Sequence, residues 1–218
     1  MIRDVIDVPA IFMRAMAVDW RPDWRGQSAA VGTDGSEQVV FNRFPRFVGK
    51  PSLRLPREML GEWRAIALKG MGRVNAYRMR MIDPMTVRMR GGDWRSDWLA
   101  YQAGLYQERR PQVVCALGAS AGASSVVVDE TSAPEPIRVG AYLSHGDWPF
   151  AVVSRSGPTN AVSLGVVMLR KAIPPGAAID LVARGVFVAV ADDVGFATYE
   201  HGAPTTGIDL DLQEWITR

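Results

Sequence analysis

The chain has 218 residues, 48% of them hydrophobic and 22% charged, with a formal net charge of +2 and one cysteine, Cys115. That length and apolar content suffice for one large core or two small ones, and they exclude a disordered or fibrous chain. A lone cysteine excludes a disulfide framework and a thiolate metal site, which leaves Cys115, inside the apolar run VVCAL, as a buried thiol.

The start, MIRDVIDVPA, places charges where a signal peptide's apolar region would begin, and the longest uncharged apolar run, TNAVSLGVVML, is short of the ~20 residues of a membrane span. A soluble product made in the cytoplasm is expected. The charge divides unevenly. Residues 1–110 hold 19 Lys+Arg against 12 Asp+Glu, and residues 111–218 hold 6 against 11. Such polarity suits a protein that packs against copies of itself or between unlike partners. Lys50, Lys69 and Lys171 are the only lysines, so arginine, whose planar fork suits interfaces, carries nearly all the positive charge.

From Ile11 to Leu55 the chain is rich in Gly, Pro and aromatic residues, with strand-like pieces at IFMRAMAV and EQVVFNRF. A helix over residues 56–70 follows. Pro56 suits its first position, Met59, Trp63, Ile66 and Ala67 share one face, and Lys69-Gly70 stops it. The stretch NAYRMRMIDPMTVRMRGG then switches to a period of two, with Tyr77, Met79, Met81, Met85, Val87 and Met89 on one face and a turn at Asp83-Pro84. It predicts a hairpin whose other face carries Arg78, Arg80, Arg88 and Arg90. Four guanidiniums on one surface repel, so that face is a candidate subunit interface meeting acidic side chains of a neighbour. No stacking aromatics interleave with them, which speaks against a nucleic-acid partner.

Asp93 is placed to cap a second helix in GGDWRSDWLAYQAGLYQERRP, on which Trp94, Trp98, Tyr101 and Leu105 align at spacings of four, three and four. This stripe, Trp94, Trp98 and Tyr101 above all, is either a partner-docking face or a buried one. Beyond Val113 nearly everything reads as strand: SSVVVDE, then IRVGAYLSHGDWPFAVVS around a tight Gly146-Asp147 turn, AVSLGVVML, AAIDLVA, VFVAVAD and GIDLDLQEW. The expected fold class is α+β, predominantly antiparallel β: a sandwich or small-barrel body over residues 1–112, a β-rich module over 113–195, and a strand within 196–218 returning to the body.

Gly118-Ala-Ser-Ala-Gly122 matches the G-x-S-x-G pattern of a serine hydrolase, and Asp180, Asp192 or Asp193 and then His201 follow Ser120 in the Ser, Asp, His order of the α/β-hydrolases. A nucleophile elbow needs a helix after its serine, whereas ASSVVV after Ser120 reads as a strand. His145 and His201 lie far apart in separate turns, and GMGRVN lacks the GK[ST] of a phosphate loop. Neither catalytic residues, nor a cofactor, nor a metal is expected.

The order VVCALGASAGASSVVV, VGAYLSHGDWPFAVVS, VSLGVVMLRKAIPPGAAIDLVARGVFVAVADD resembles a β-rich module of tail proteins of long-tailed bacteriophages. In that module a Gly-Ala-Ser/Thr turn launches a strand, a Gly-Asp segment carries a surface hairpin, and a Pro-Pro-Leu-Arg-like strand end precedes a Gly turn. Here Val167-Met168-Leu169-Arg170 stands at the strand end without the doubled prolines, and Gly176 supplies the turn. The upstream segment from Phe41 to Met81 resembles the companion part, with a Trp-containing helix and a Gly-Arg-x-Asn turn, while the Trp-rich insert from Asp93 to Arg110 has no counterpart. The resemblance implies a non-enzymatic virion component of the tail tip or baseplate, similar to a distal tail protein. It would form a homo-oligomeric ring, trimeric or hexameric, in the virion tail after assembly in the host cytoplasm. The tail tube protein and the hub, baseplate or fibre proteins would be its neighbours, with the tape measure protein a further one, and no membrane would be involved. Three alternatives stay open: a serine hydrolase using Ser120, a carbohydrate-binding β-sandwich using an exposed Trp94, Trp98 or Trp148, and a nucleic-acid binder whose affinity would fall steeply with salt.

Overall fold

The computed structural model of the protein describes residues 3–13, 16–24, 27–31, 37–40, 44–86, 93–198 and 203–218, with backbone alone at 16, 27–31 and 37–40. In chain order the body opens with β1 (Val5–Asp7), a 3-10 turn (Ala10–Met13), β2 (Met16–Ala17), β3 (Trp20–Asp23), β4 (Gln27–Val31), β5 (Glu37–Val40), β6 (Arg46–Gly49) and β7 (Ser52–Pro56). Helix α1 (Leu60–Gly70), strand β8 (Ala76–Arg80) and helix α2 (Trp94–Gln102) come next. Six strands then follow: β9 (Gln112–Cys115), β10 (Ser125–Asp129), β11 (Tyr142–His145), β12 (Trp148–Ser156), β13 (Val162–Val167) and β14 (Ala178–Asp180). The chain ends with β15 (Arg184–Ala189), β16 (Thr205–Asp209) and β17 (Leu212–Glu214). The fold is α+β and mostly antiparallel, with β1 beside β8 as a parallel pair.

Strands β9 to β14 close into a six-stranded barrel in the order β10-β13-β12-β11-β14-β9. Alternation fills it: Val113 and Cys115, Val126 and Val128, and Val162, Leu164 and Val166 point inward around Leu143, Phe150 and Ile179. Closing the sheet removes its edges, which would otherwise invite pairing with other chains. Gly146 has φ 60° at the first central position of the two-residue β11–β12 turn, the conformation a type II′ hairpin demands there.

The body holds a six-stranded sheet, β1-β8-β15-β17-β6-β3, and a three-stranded sheet, β16-β7-β2, beside the β4–β5 hairpin. Its core gathers Met59 and Trp63 from the helical segment with Met79, Phe187, Ile208 and Leu212 from the strands. As the spacing predicts, Met59, Trp63, Ile66 and Ala67 are the buried face of α1, although residues 57–59 wind as a 3-10 turn before it. Trp63 also donates its indole N–H to the Gly195 carbonyl at 2.8 Å. Gly49 is required for packing, since a Cβ there would lie 2.2 Å from the Trp20 ring.

Three boundaries differ from expectation. The barrel ends at Asp180, and β15, assigned by sequence to the module, is an inner strand of the body sheet between β8 and β17. Barrel geometry therefore belongs to the module, and the body is built from open sheets. The hairpin expected after Tyr77 is represented by β8, whose described partners are β1 and β15; after it Asp83 Oδ1 accepts from the Met85 and Thr86 backbone N–H groups at 2.7 and 2.8 Å. Val87, Arg88, Met89 and Arg90 lie outside the described residues. Helix α2 is capped by Asp93, whose side chain accepts from the Arg95 N–H, but it ends before Leu105 because Gly104 turns to φ 70°. Leu105 is consequently exposed.

The charge polarity also changes meaning in three dimensions. Residues 112–181, the barrel, carry 4 Lys+Arg against 5 Asp+Glu, whereas residues 182–218 carry 2 against 6. The acidic surplus thus sits on the segment that returns to the basic body. It is met there by ion pairs such as Lys50–Asp211 at 2.9 Å, Arg73–Asp192 at 2.9 Å and, across to the barrel, Arg170–Glu214 at 3.2 Å.

Candidate functional site: an arginine cleft beside the barrel

Period-two alternation in β8 sends Met79 into the core and Arg78 and Arg80 to the other face. On the neighbouring strand β15 the register places Arg184 directly opposite Arg80. Like charges in directly opposed cross-strand positions destabilise a sheet unless anions intervene, and here three carboxylates do. Glu108, on the segment after α2, meets Arg80 Nε at 2.9 Å and Arg110 Nε at 3.4 Å. Asp147, at the tip of the β11–β12 hairpin, reaches across from the barrel to Arg78 Nε and Arg184 Nε, both at 2.9 Å. Asp7 of β1 takes the remaining side of Arg78 at 2.8 Å. The Arg184–Asp147 contact is an ion pair without hydrogen-bond alignment, so Arg184 Nε and Asp147 Oδ1 are buried without an aligned partner.

Asp7, Glu108 and the four arginines line a cleft of about 620 Å³ between β1, β8, β15 and the 104–110 segment. Tyr101 and Tyr106 form part of its wall, ring centroids 6.2 Å apart in an edge-to-face arrangement. Burial, with Glu62 nearby, holds the Tyr101 phenol above its ordinary value, so it remains a hydroxyl. Arg80 is nearly enclosed, and burial lowers its value against the opposing pull of Glu108. Asp7, and then Asp147, hold Arg78 above its ordinary value despite partial burial. Asp180 lies behind the cleft and faces the barrel, where Gln112 Nε2 donates to it at 2.8 Å.

The acidic partners anticipated in a neighbouring subunit are therefore present in the same chain for Arg78 and Arg80, at sequence distances that no local pattern reveals. Arg88 and Arg90 fall outside the described residues. The aromatic stripe divides. Trp98 is 5% exposed and packs with Tyr101 against Phe12, at centroid distances of 6.2 and 5.8 Å, so Trp98 is a core residue and not a docking one. Trp94 is half-buried with Arg95 stacked 5.5 Å from its ring. Trp148 is covered by the Arg218 guanidinium at 3.8 Å and approached by Lys171 at 5.1 Å. Sequence reasoning missed Asp147, Glu108, Arg110 and Arg184; the only signal was the turn-forming Gly146-Asp147 pair, which does mark a hairpin tip.

Ser120 is exposed in a turn between Gly118, φ 77°, and Gly122, φ 78°. Ala119 bridges to Ile173, and the chain resumes as strand β10 without a helix after the serine. His145 points its Nδ1 to the Ala178 carbonyl at 2.9 Å, and His201 is outside the described residues. Among the described residues no helix is long and apolar enough to cross a membrane, and no group of His, Cys, Asp and Glu is placed to hold a metal ion.

Set beside known proteins, the chain matches no family model and no curated relative.

Proposed function

We propose that this chain is a non-enzymatic structural subunit of the tail tip of a long-tailed bacteriophage. Copies of it close into a ring that joins the tail tube to the hub or fibres, with the virion tail as its final location. The resemblance of the segments between about Phe41 and Trp215 motivates the reading. The observation that carries it is a cluster of large apolar side chains left in solvent at one end of the body. Leu68, Met71 and Val74 at the end of α1, and Val190 and Phe196 beside the adjoining turn, are all at least 41% exposed. The two segments are tied together by Arg73–Asp192 and by Trp63 to Gly195, so these side chains lie at one end of the body. Clustered exposure of this kind marks a protein–protein contact, and ring closure joins one patch to a different patch on the next copy. Because Asp192, Asp211 and Glu214 of the return segment are paired within the chain, this apolar end, and not the basic and acidic halves, is the favoured ring contact.

Sedimentation over a wide concentration range, with negatively stained particles viewed in parallel, tests the reading. Closed three- or sixfold rings, dispersed by Leu68→Glu/Met71→Glu with the monomer still folded, are expected. A protein monomeric at the highest attainable concentration, or rings indifferent to that double substitution, would overturn it.

A further inference from the structure

The cleft raises a question its internal ion pairs leave open. Two carboxylates, Asp7 and Glu108, line it against four guanidiniums, those of Arg78, Arg80, Arg110 and Arg184. Asp147 enters from the barrel side and is already shared between Arg78 and Arg184, as Glu108 is shared between Arg80 and Arg110. Asp147 and Glu108 therefore each serve two forks, while Asp7 serves Arg78 alone, and a guanidinium fork is built to hold one carboxylate through two parallel hydrogen bonds. Arg110 keeps about half of its side chain in solvent at the mouth, and Arg184 Nε has no aligned acceptor within. The Arg80–Arg184 pair is directly opposed across the strands, and Asp180 stands behind it in the recess shared with Arg80, Arg110 and Arg184.

We propose that the cleft is a docking site for an acidic peptide segment of a neighbouring protein, its carboxylates seated on Arg110 and Arg184. Two features favour a peptide over a small anion. A cavity of about 620 Å³ is far larger than one oxyanion needs, and is within the ~300–1,000 Å³ of sites that enclose larger ligands. Its lining mixes the charged groups with Pro9 and the rings of Tyr101 and Tyr106, which suits a chain bearing both acidic side chains and backbone. That the occupant is a protein rests on the tail-tip reading; the anion chemistry does not.

The test is calorimetric titration of the full chain with a synthetic hexaglutamate peptide at low salt, with inorganic phosphate as a competitor. Saturable one-to-one binding is expected, weakened about tenfold by Arg110→Gln and abolished by Arg110→Gln/Arg184→Gln, since each removes a charge-assisted contact. Arg138→Gln, on the barrel surface and paired with Glu135, should leave it unchanged. Circular dichroism of each variant separates loss of binding from loss of fold, and Arg110→Gln, at an exposed position, gives a readout that does not depend on the buried arginines. Absence of saturable binding, an equal effect of Arg138→Gln, or full displacement by millimolar phosphate would overturn the proposal, the last pointing to a free-oxyanion site. Rings without peptide binding would remove the docking site and leave the tail-tip reading intact; peptide binding by a strict monomer would do the reverse.

Discussion

Replacing Asp147 by Asn keeps the shape of the hairpin tip and removes the charge that joins barrel to body. Its carboxylate contacts Arg78 and Arg184 at 2.9 Å each, with side-chain exposures of 20% for Asp147, 29% for Arg78 and 18% for Arg184. Hydrogen bonds and ion pairs to charged groups contribute ~1.5–3 kcal/mol each when protected from water. Partial exposure screens them, and Arg78 retains Asp7, which together bring the expected loss to about 2–3 kcal/mol. For a chain of this length that corresponds to a fall in Tm of about 5–10 °C, since ~1 kcal/mol shifts the midpoint by ~2–4 °C. Thermal unfolding followed by circular dichroism, and urea unfolding followed by tryptophan fluorescence, measure it. A double-mutant cycle with Arg184→Met isolates the pair and should give a coupling of about 1 kcal/mol. A Tm within about 1 °C of wild type, or a coupling indistinguishable from zero, would refute the argument that this carboxylate clasps the two parts.

Two further outcomes follow from packing and burial. Gly49→Ala drives a methyl group into the Trp20 ring, which lies 4.8 Å from Phe187, and should cost ~1–3 kcal/mol as an overpacked site does; an unchanged urea midpoint would count against it. Burial pushes the Glu214 carboxyl above its ordinary value of 4.5, with the Phe47 N–H and Arg170 pulling the other way. A carboxyl whose folded value is raised favours the folded state when protonated, so its contribution is full below 4.5 and is lost as pH rises through the raised value. Glu214→Gln should therefore gain Tm relative to wild type as the pH climbs from below 4.5 toward neutrality, and a relative loss over that range would show that the pairing with Arg170 outweighs burial.

The parts of the fold readable in the sequence are those set by neighbours along the chain. Helix α1 follows from the spacing of Met59, Trp63, Ile66 and Ala67, although Pro56 ends β7 instead of opening the helix, and the barrel strands follow from alternation between Gly and Pro turns. Sheet membership is set by residues far away, so β15 reads as a strand while its place beside β8 does not. Strand β1 is three residues long with an aspartate at its end, too short for any periodicity to register. For the cleft, alternation places Arg78 and Arg80 on one face. Their partners, Glu108 and Asp147, are delivered by the loop after α2 and by a hairpin tip of the barrel. The apparent division into basic and acidic halves had the same cause: it treated as separate surfaces two stretches of chain that the topology lays side by side.

The pairing of Arg80 with Arg184 carries one more implication. The chain leaves the body sheet at one of these residues and re-enters it at the other, and the barrel between them is pinched shut where the Leu181 N–H donates to the Pro111 carbonyl at 2.9 Å. If the barrel forms first, the stretch of free chain that the β8–β15 pairing must close shortens about threefold, which lowers the entropic barrier by ~1 kcal/mol. Contacts so distant in sequence are the slow step of β-rich folding. The barrel thus acts as an internal splint, presenting two adjacent inner strands of the sheet to each other before the body has condensed around them.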